Sequence, residues 1–223
     1  MFARAPDLRG AVASTQKLLT ALVAWREGPL HEAVTIRDED LNCMPYHLGL
    51  RPGESTTRLD LLHALLLSSS NDAAMTLARD NAGSIEAFAA KMNQAAAACG
   101  MNESHFVNPH GLPDERQYST AGDVARLACV IDRIPQLRAI MNCTEYRLAR
   151  SDGSSILLRN RNRLLHEMAG CDGMKTGYTD AAGYCLVASC GTGSARLIAV
   201  VLNSSETAVW RDALSLLAGT APE

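Results

Sequence analysis

The chain has 223 residues, of which 47% are hydrophobic and 20% are charged. These proportions are typical of a globular protein with one core, and they exclude a disordered, collagen-like or coiled-coil chain. Lys and Arg total 21 against 24 Asp and Glu, a net charge of −3 without any basic run, so nucleic acid is not an expected partner.

Targeting and metal-binding patterns are weak in this sequence. The longest clean apolar run, Leu197 to Leu202, is far below the roughly 18 residues of a membrane-spanning helix. Residues 1–7 carry no apolar segment of the kind a secretory signal needs, which taken alone favours the cytoplasm. The seven cysteines are scattered without a paired spacing and are predicted to be buried free thiols. The histidine spacing predicts no metal site.

The first two thirds of the sequence have helical periodicity. The pattern of apolar residues, capping residues and glycines predicts helices at Ser14 to about Glu27, Thr57 through Leu67, Asp72 to Asp80, Ser84 to Cys99, and Thr120 to Asp132. The second of these is apolar almost all round, so we expect it to be central.

The period changes after about residue 144. Residues 145–149 and 155–159 flank an Asp-Gly turn and predict one hairpin, while residues 184–190 and 195–203 predict a second. A terminal amphipathic helix follows from Thr207 to Leu217. Helices followed by an antiparallel sheet and a closing helix indicate an α+β fold, with a mostly helical lobe packed beside the sheet.

Three short motifs occur in a characteristic order. They are Ser14-Thr15-Gln16-Lys17, Ser69-Ser70-Asn71 and Lys175-Thr176-Gly177. Each alone occurs by chance in many proteins, but together they match the nucleophile, turn and strand motifs of the penicillin-binding proteins and class A β-lactamases.

The spacing of the first motif has a physical meaning. Residues three apart share a helix face, so Lys17 can reach the hydroxyl of Ser14. Lysine serves as a base only when its amine is neutral, which burial and a second cation such as Lys175 would favour. The structural alternatives are a solvated helix lysine at Lys17, capping residues at Ser69 and Asn71, and a strand-end lysine at Lys175.

Nearly the whole chain resembles the low-molecular-mass D-alanyl-D-alanine carboxypeptidases, the serine DD-peptidases of bacterial cell-wall metabolism. The resemblance covers residues 13–22, 67–73, 108–112 and 160–165, and the segment from Asp172 through Ser189. It implies a β-lactamase/DD-peptidase-like fold that lacks the family's N-terminal strand pair. It also implies a single catalytic domain over residues 1–223, with a helical lobe at about 15–144 and a sheet part at about 145–223 plus the N-terminus.

The resemblance assigns a role to each matching residue. Ser14 would be the nucleophile and Lys17 its base, Ser69 would relay a proton to the leaving amine, and Asn71 would hold the substrate amide. Lys175 would supply positive potential and Thr176 would bind the terminal carboxylate. The backbone N–H groups of Ser14 and Tyr178, next to Gly177, would form the oxyanion hole. Arg161 would line the cleft or lie on the surface, and His110 would belong to a structural loop.

The implied activity is removal of the terminal D-alanine from peptidoglycan stem peptides through an acyl-enzyme. β-Lactams would acylate the same serine, and neither a cofactor nor a metal is expected. Such proteins act outside the cytoplasm, in the periplasm or cell envelope. The alternatives are a catalytically impaired protein that binds penicillin or muropeptide, and a class A β-lactamase. Glu167 does not fit the glutamate pattern that a class A β-lactamase needs.

Three departures from the family pattern stand out. Without the N-terminal strand pair, the run Leu197 to Leu202 would lie at or near a sheet edge. Tyr178 stands where histidine is common. Residues 203–207 lack the arginine with which relatives help to bind a carboxylate, and Arg211 is a weak substitute.

Overall fold

The computed structural model of the protein describes residues 2–43, 45, 47–192 and 195–219. Its α-helices are α1 (Lys17–Arg26), α2 (Arg58–His63), α3 (Asn71–Ala82), α4 (Ile85–Ala98), α5 (Ala121–Asp132), α6 (Pro135–Asn142), α7 (Leu164–Glu167) and α8 (Ala208–Leu217). Its strands are β1 (Ala33–Thr35), β2 (Ser55–Thr57), β3 (Glu145–Ala149), β4 (Ser155–Arg159), β5 (Cys171–Thr179), β6 (Gly183–Thr192) and β7 (Ala195–Ser204). Short 3-10 turns cover Ala13–Gln16 and Asp38–Leu41.

The strands form an antiparallel sheet and two separate hairpins. The sheet has the order β5-β6-β7, while β1 pairs with β2 and β3 pairs with β4. The run Leu197 to Leu202 lies in β7, which pairs only with β6 among the described strands, so its predicted place at a sheet edge is confirmed. The α+β fold class is also confirmed.

The helical lobe is built around two apolar helices. Eight residues of α1 are buried. Helix α2 begins at a capping box, in which the Thr57 side chain accepts from the Asp60 N–H and the Asp60 carboxylate accepts from the Thr57 N–H. It continues through a π-helical stretch, Ala64–Ser68, whose leucines are buried as the sequence predicts. This stretch ends at Ser69, which has a left-handed backbone (φ 64°).

The structure adds elements that the sequence pattern did not indicate. Helix α6 was not predicted, and Pro135 occupies its first turn, where its missing N–H costs no hydrogen bond. The short β1–β2 hairpin was not predicted. Ser14 lies in the 3-10 turn before α1 rather than in the first turn of α1.

The hairpin β3–β4 packs with the helices rather than with the three-stranded sheet. Leu148 and Leu158 are each 1% exposed and belong to the core cluster that contains α1 and α2. The apolar core beneath α8 is a separate cluster, which includes Leu186, Ala188 and Val209. The change to strand periodicity at residue 144 therefore does not coincide with a change of packing layer.

All seven cysteines lie within the described ranges and are free thiols, as predicted. Cys43, Cys171, Cys185 and Cys190 are buried. The expected burial is wrong for Cys129, which is exposed, and only partly right for Cys99 and Cys143. No helix in the described ranges combines the length and apolar character needed to cross a bilayer.

Candidate active site

An open cleft of about 250 Å³ lies between the 3-10 turn before α1, the end of the π-helical stretch and strand β5. It is lined by Ser14, Ser69, Arg161, Thr176, Gly177, Tyr178, Tyr184, Cys185, Val209 and Trp210. Six of the predicted site residues are in this lining. The other three, Lys17, Asn71 and Lys175, are buried beside it with at most 1% exposure. The structure thus brings the three sequence motifs together.

Lys17 contacts three oxygen atoms with its amine. Its Nζ lies 2.8 Å from Ser14 Oγ, 2.7 Å from Asn71 Oδ1 and 2.6 Å from the His110 carbonyl oxygen. The two carbonyl oxygens can only accept hydrogen bonds, whereas the serine hydroxyl can donate or accept. A neutral Lys17 amine, with two N–H groups and one lone pair, can therefore donate to both carbonyls and accept from Ser14.

The surroundings of Lys17 favour that neutral form. Complete burial lowers the pKa of Lys17 well below its usual value, because the ammonium loses its hydration. The positive charges of Lys175 and Arg161 lower this pKa further, while Asp72 acts in the opposite direction. The solvated-lysine alternative for Lys17 is therefore excluded by its burial.

Asn71 and Ser69 occupy different parts of the site. The Asn71 amide accepts from Lys17 through Oδ1 and donates through Nδ2 to the Pro45 carbonyl. Both ends of this amide thus contact protein groups, and its expected contact with a substrate amide stays a prediction. Ser69 lines the cleft together with Ser14.

The loop 108–112 closes over the start of α1. Three successive carbonyls of this loop, those of Asn108, Pro109 and His110, accept from the side chains of Gln16, Thr20 and Lys17.

The His110 imidazole is partly buried within this loop, and it is the backbone carbonyl of His110 that contacts Lys17. Its Nδ1 accepts from the Leu112 N–H at 3.1 Å. Burial, followed by the charge of Lys17, lowers the pKa of His110 to about 3. The imidazole is therefore neutral at neutral pH. The sequence pattern gave no signal for the contact between Lys17 and the His110 carbonyl, because a carbonyl is present at every position.

Lys175 lies on the strand side of the cleft. Its Nζ donates to the Thr176 carbonyl at 2.9 Å. Burial, followed by the charge of Arg161, lowers the pKa of Lys175 to about 7. Lys175 can therefore carry a positive charge near neutral pH, and binding of an anion nearby would favour that charged form.

Gly177 allows strand β5 to approach Ser14 closely. A Cβ atom at this position would lie 2.8 Å from the Ser14 nitrogen and 3.1 Å from the Ala13 Cβ. Any side chain would therefore push the strand away from Ser14. The close approach places the backbone around Tyr178 beside Ser14, as an oxyanion hole requires.

Four cleft residues were missed by the sequence reasoning, namely Tyr184, Cys185, Val209 and Trp210. The Tyr178 and Tyr184 rings lie 4.4 Å apart, and the Arg163 guanidinium lies 5.3 Å from the Trp210 ring centroid. Arg211, the weak substitute for a carboxylate-binding arginine, is exposed and contacts Asp212. The amphipathic pattern of α8 marks its buried face but not which residues reach the cleft.

No Asp or Glu lines the cleft in the part of the chain that the structure describes. Glu167 is exposed and pairs with Arg163 at 2.9 Å. No group of three or more metal-binding side chains occurs among the same residues. The site therefore combines a serine hydroxyl bonded to a buried lysine, positive charge and backbone N–H groups, a set that suits nucleophilic acyl transfer.

The comparisons with known proteins agree with this class. The sequence model of peptidase family S11, described as D-alanyl-D-alanine carboxypeptidase, matches residues 1–206. The chain is 35% identical over 202 residues to D-alanyl-D-alanine carboxypeptidase DacF of Bacillus subtilis, covering 88% of this chain and 52% of DacF. It is 36% identical over 209 residues to DacA of Escherichia coli, covering 88% of this chain and 51% of DacA.

A solved structure of similar shape is that of a DD-transpeptidase from Streptomyces. It has a TM-score of 0.90 and 28% sequence identity, covering 98% of this chain and 90% of that one. The chain spans about half the length of the two carboxypeptidases. It belongs to the D-alanyl-D-alanine carboxypeptidase family.

Proposed function

We propose that this protein is a serine D-alanyl-D-alanine carboxypeptidase. Ser14 attacks the carbonyl of the penultimate D-alanine of a peptidoglycan stem peptide and forms an ester with it. The terminal D-alanine leaves as a free amino acid, and water then hydrolyses the ester. β-Lactams acylate the same hydroxyl.

The observation that carries this proposal is the set of contacts around Lys17. Its two carbonyl partners, at 2.6 and 2.7 Å, engage both N–H groups of a neutral amine and leave its lone pair for the Ser14 hydroxyl. Lys17 then takes the Ser14 proton as the new C–O bond forms. A positioned base of this kind accelerates proton transfer by roughly 10²–10⁴-fold.

The remaining steps use groups on both sides of the cleft. The backbone N–H groups of Ser14 and Tyr178 stabilise the oxyanion, each by roughly 3 kcal/mol in comparable enzymes. Ser69 passes a proton from Lys17 to the nitrogen of the leaving D-alanine as the C–N bond breaks. Thr176 binds the terminal carboxylate.

The charge of the cleft supports this orientation of the substrate. Arg161 lines the cleft and Lys175 lies buried beside it, while the cleft lining contains no carboxylate within the described ranges. A negatively charged C-terminus is therefore attracted to the strand side. The same lack of a carboxylate argues against rapid hydrolysis of β-lactams, which needs a base for the attacking water.

We infer that the substrate partner is a stem peptide ending in D-Ala-D-Ala and that the protein acts outside the cytoplasm, where peptidoglycan lies. We also propose that the residues present form one catalytic domain, because the cleft takes side chains from both the helices and the sheet.

Intact-protein mass spectrometry tests the proposal directly. The protein is incubated with benzylpenicillin, and release of D-alanine from a D-Ala-D-Ala peptide is measured in parallel. We expect a stable adduct of one β-lactam per chain, together with D-alanine release. Ser14→Ala should abolish both.

Each other result contradicts the proposal in a different way. A stable adduct without D-alanine release indicates a binding protein, and rapid turnover of the β-lactam indicates a β-lactamase. Labelling that survives in Ser14→Ala shows that the nucleophile lies elsewhere.

A further inference from the structure

A fully buried carboxylate lies directly behind the Ser69–Asn71 turn. Asp72 is 0% exposed and sits in the first turn of α3. Its oxygens accept from the Leu48 N–H at 3.0 Å, the Leu50 N–H at 3.4 Å and the Ala73 N–H at 3.0 Å, and from the Ser70 hydroxyl. Asp72 is therefore held by neutral donors alone among the described residues, and none of its direct contacts neutralises its charge.

A buried anion without a direct cation is costly, so its retention calls for a compensating interaction. The first turn of α3 supplies part of it, because helix N-termini stabilise negative charge. The Asp72 carboxylate also acts on Lys17, because its negative charge raises the pKa of that amine.

Asp72 also fixes a segment that contacts the site. Its carboxylate holds the N–H groups of Leu48 and Leu50, while the Pro45 carbonyl accepts from Asn71 Nδ2. With Nδ2 engaged in this way, Asn71 Oδ1 faces Lys17. The positions of the Asn71 amide and of the Asp72-bound segment are thus coupled.

Several titratable groups from other elements act on Lys17. Lys175 on β5 and Arg161 after β4 carry positive charge, whereas Cys43 and His110 belong to loops. Burial raises the pKa of Cys43 to about 12, so the thiol is uncharged at neutral pH. His110 is uncharged there as well, because its pKa is about 3.

We infer that Asp72 is a positioning residue for the catalytic lysine. Its carboxylate anchors the segment that orients Asn71, and its effect on Lys17 opposes that of Lys175 and Arg161. This inference rests on the proposed role of Lys17 as the base for Ser14.

The test is the pH profile of acylation. The rate constant for labelling by a fluorescent penicillin is measured from about pH 4 to about pH 9 for the native protein and for Asp72→Asn. Removing the negative charge makes Lys17 neutral at lower pH, so the midpoint of the rising limb should fall. The maximal rate should fall by roughly tenfold, because Asn71 is less firmly oriented.

A second neutral variant guards against a folding artefact. Asp72→Ser is smaller and equally uncharged, and it places no donor amide among the N–H groups that the carboxylate held. We expect the same downward shift of the midpoint, with folding checked by near-ultraviolet circular dichroism.

Asp60→Asn is the matched control. Asp60 is also an aspartate in the first turn of a helix, held by the neutral groups of Thr56, Thr57 and Tyr146. Asp60 is not among the groups that chiefly shift the pKa of Lys17. This variant should lower the melting temperature and leave the midpoint unchanged.

The outcomes separate this inference from the proposed function. A lower rate with an unchanged or raised midpoint in both Asp72 variants overturns the inference, as does an equal shift in Asp60→Asn. A native protein that is not labelled at Ser14 contradicts the proposed function instead.

Discussion

The two walls of the cleft each bury one lysine, and the two lysines differ in their partners. Lys17, on the helical side, contacts Ser14, Asn71 and the His110 carbonyl. Lys175, on the strand side, donates to a carbonyl of its own strand. Burial lowers the pKa of both, and the charge of Lys175 adds to the effect at Lys17.

This difference shows that burial alone does not decide the role of a lysine. The acceptors around Lys17 suit an amine that exchanges a proton with Ser14. The pKa of about 7 at Lys175 suits a cation that attracts an anionic substrate. Each of the four predictions below changes one wall of the cleft, and the first three concern reaction rate while the fourth concerns stability.

The largest expected effect comes from removing the base. Lys17→Met fills a similar volume without an amine, so we expect the acylation rate by penicillin to fall by roughly 10³-fold. The free energy of unfolding should decrease, because Asn71 Oδ1 and the His110 carbonyl lose the amine that donates to them. Labelling kinetics and thermal unfolding measure the two effects.

Lys91→Met is the matched control for this change. Lys91 is partly exposed and contacts Glu27 and Asn81 away from the cleft. It should leave the acylation rate within about twofold of the native value. A similar loss of rate in both variants would show that the effect of Lys17 is not specific.

The second prediction separates the two walls. In Gly177→Ala the new methyl group meets the Ser14 nitrogen, so strand β5 must move back from the nucleophile. We expect the acylation rate to fall by roughly 10²-fold, through loss of the oxyanion donors. Gly10→Ala is the control, because a Cβ there meets nothing within 4 Å. A native-like rate in Gly177→Ala would contradict the close approach.

The third and smallest effect concerns pH. As pH rises through about 7, Lys175 loses its proton, so kcat/KM for a peptide with a free terminal carboxylate should fall. The steepest decline that loss of one proton can cause is roughly tenfold in kcat/KM per pH unit above the midpoint. An ester substrate without a carboxylate should show a weaker decline, and an equal decline for both substrates would contradict this role of Lys175.

The stability of the fold should also depend on the protonation of Lys175. The pKa of Lys175 is about 7 in the fold and 10.5 as its usual value, so the unfolded state binds more protons between these values. The contribution of this lysine to the free energy of unfolding therefore rises as the pH increases between these two values. Lys175→Met should accordingly stabilise most below about pH 7, by about 1–3 kcal/mol in thermal unfolding.

Much of the fold could be predicted from periodicity and capping. The bounds of α4 and of the β3–β4 hairpin agree with the predicted segments within about a residue. Local signals at these places, such as the Ser84 cap and the Asp-Gly turn, agree with the packing. Helix α6 was missed because Pro135 is compatible both with the end of one helix and with the start of the next.

The candidate site was predictable where side chains carry the chemistry. The three motifs named Ser14, Lys17 and Lys175, and the structure brings them together. Contacts made by the backbone, such as that of the His110 carbonyl with Lys17, could not be predicted from residue types. It also left out Trp210, because the position of α8 against the cleft depends on long-range packing.

The carbonyl oxygens of residues 108–110 hold side chains at the start of α1, and this limits how mutations in the loop can change the site. Since main-chain oxygens hold Gln16, Thr20 and Lys17, no single side-chain replacement in that loop can delete the acceptors. A mutation in this loop can therefore affect Lys17 only if it changes the path of the backbone. A substitution at Gly111 would change the path of the backbone, because the φ of 89° and the nearby Ala13 carbonyl leave no room for a larger residue.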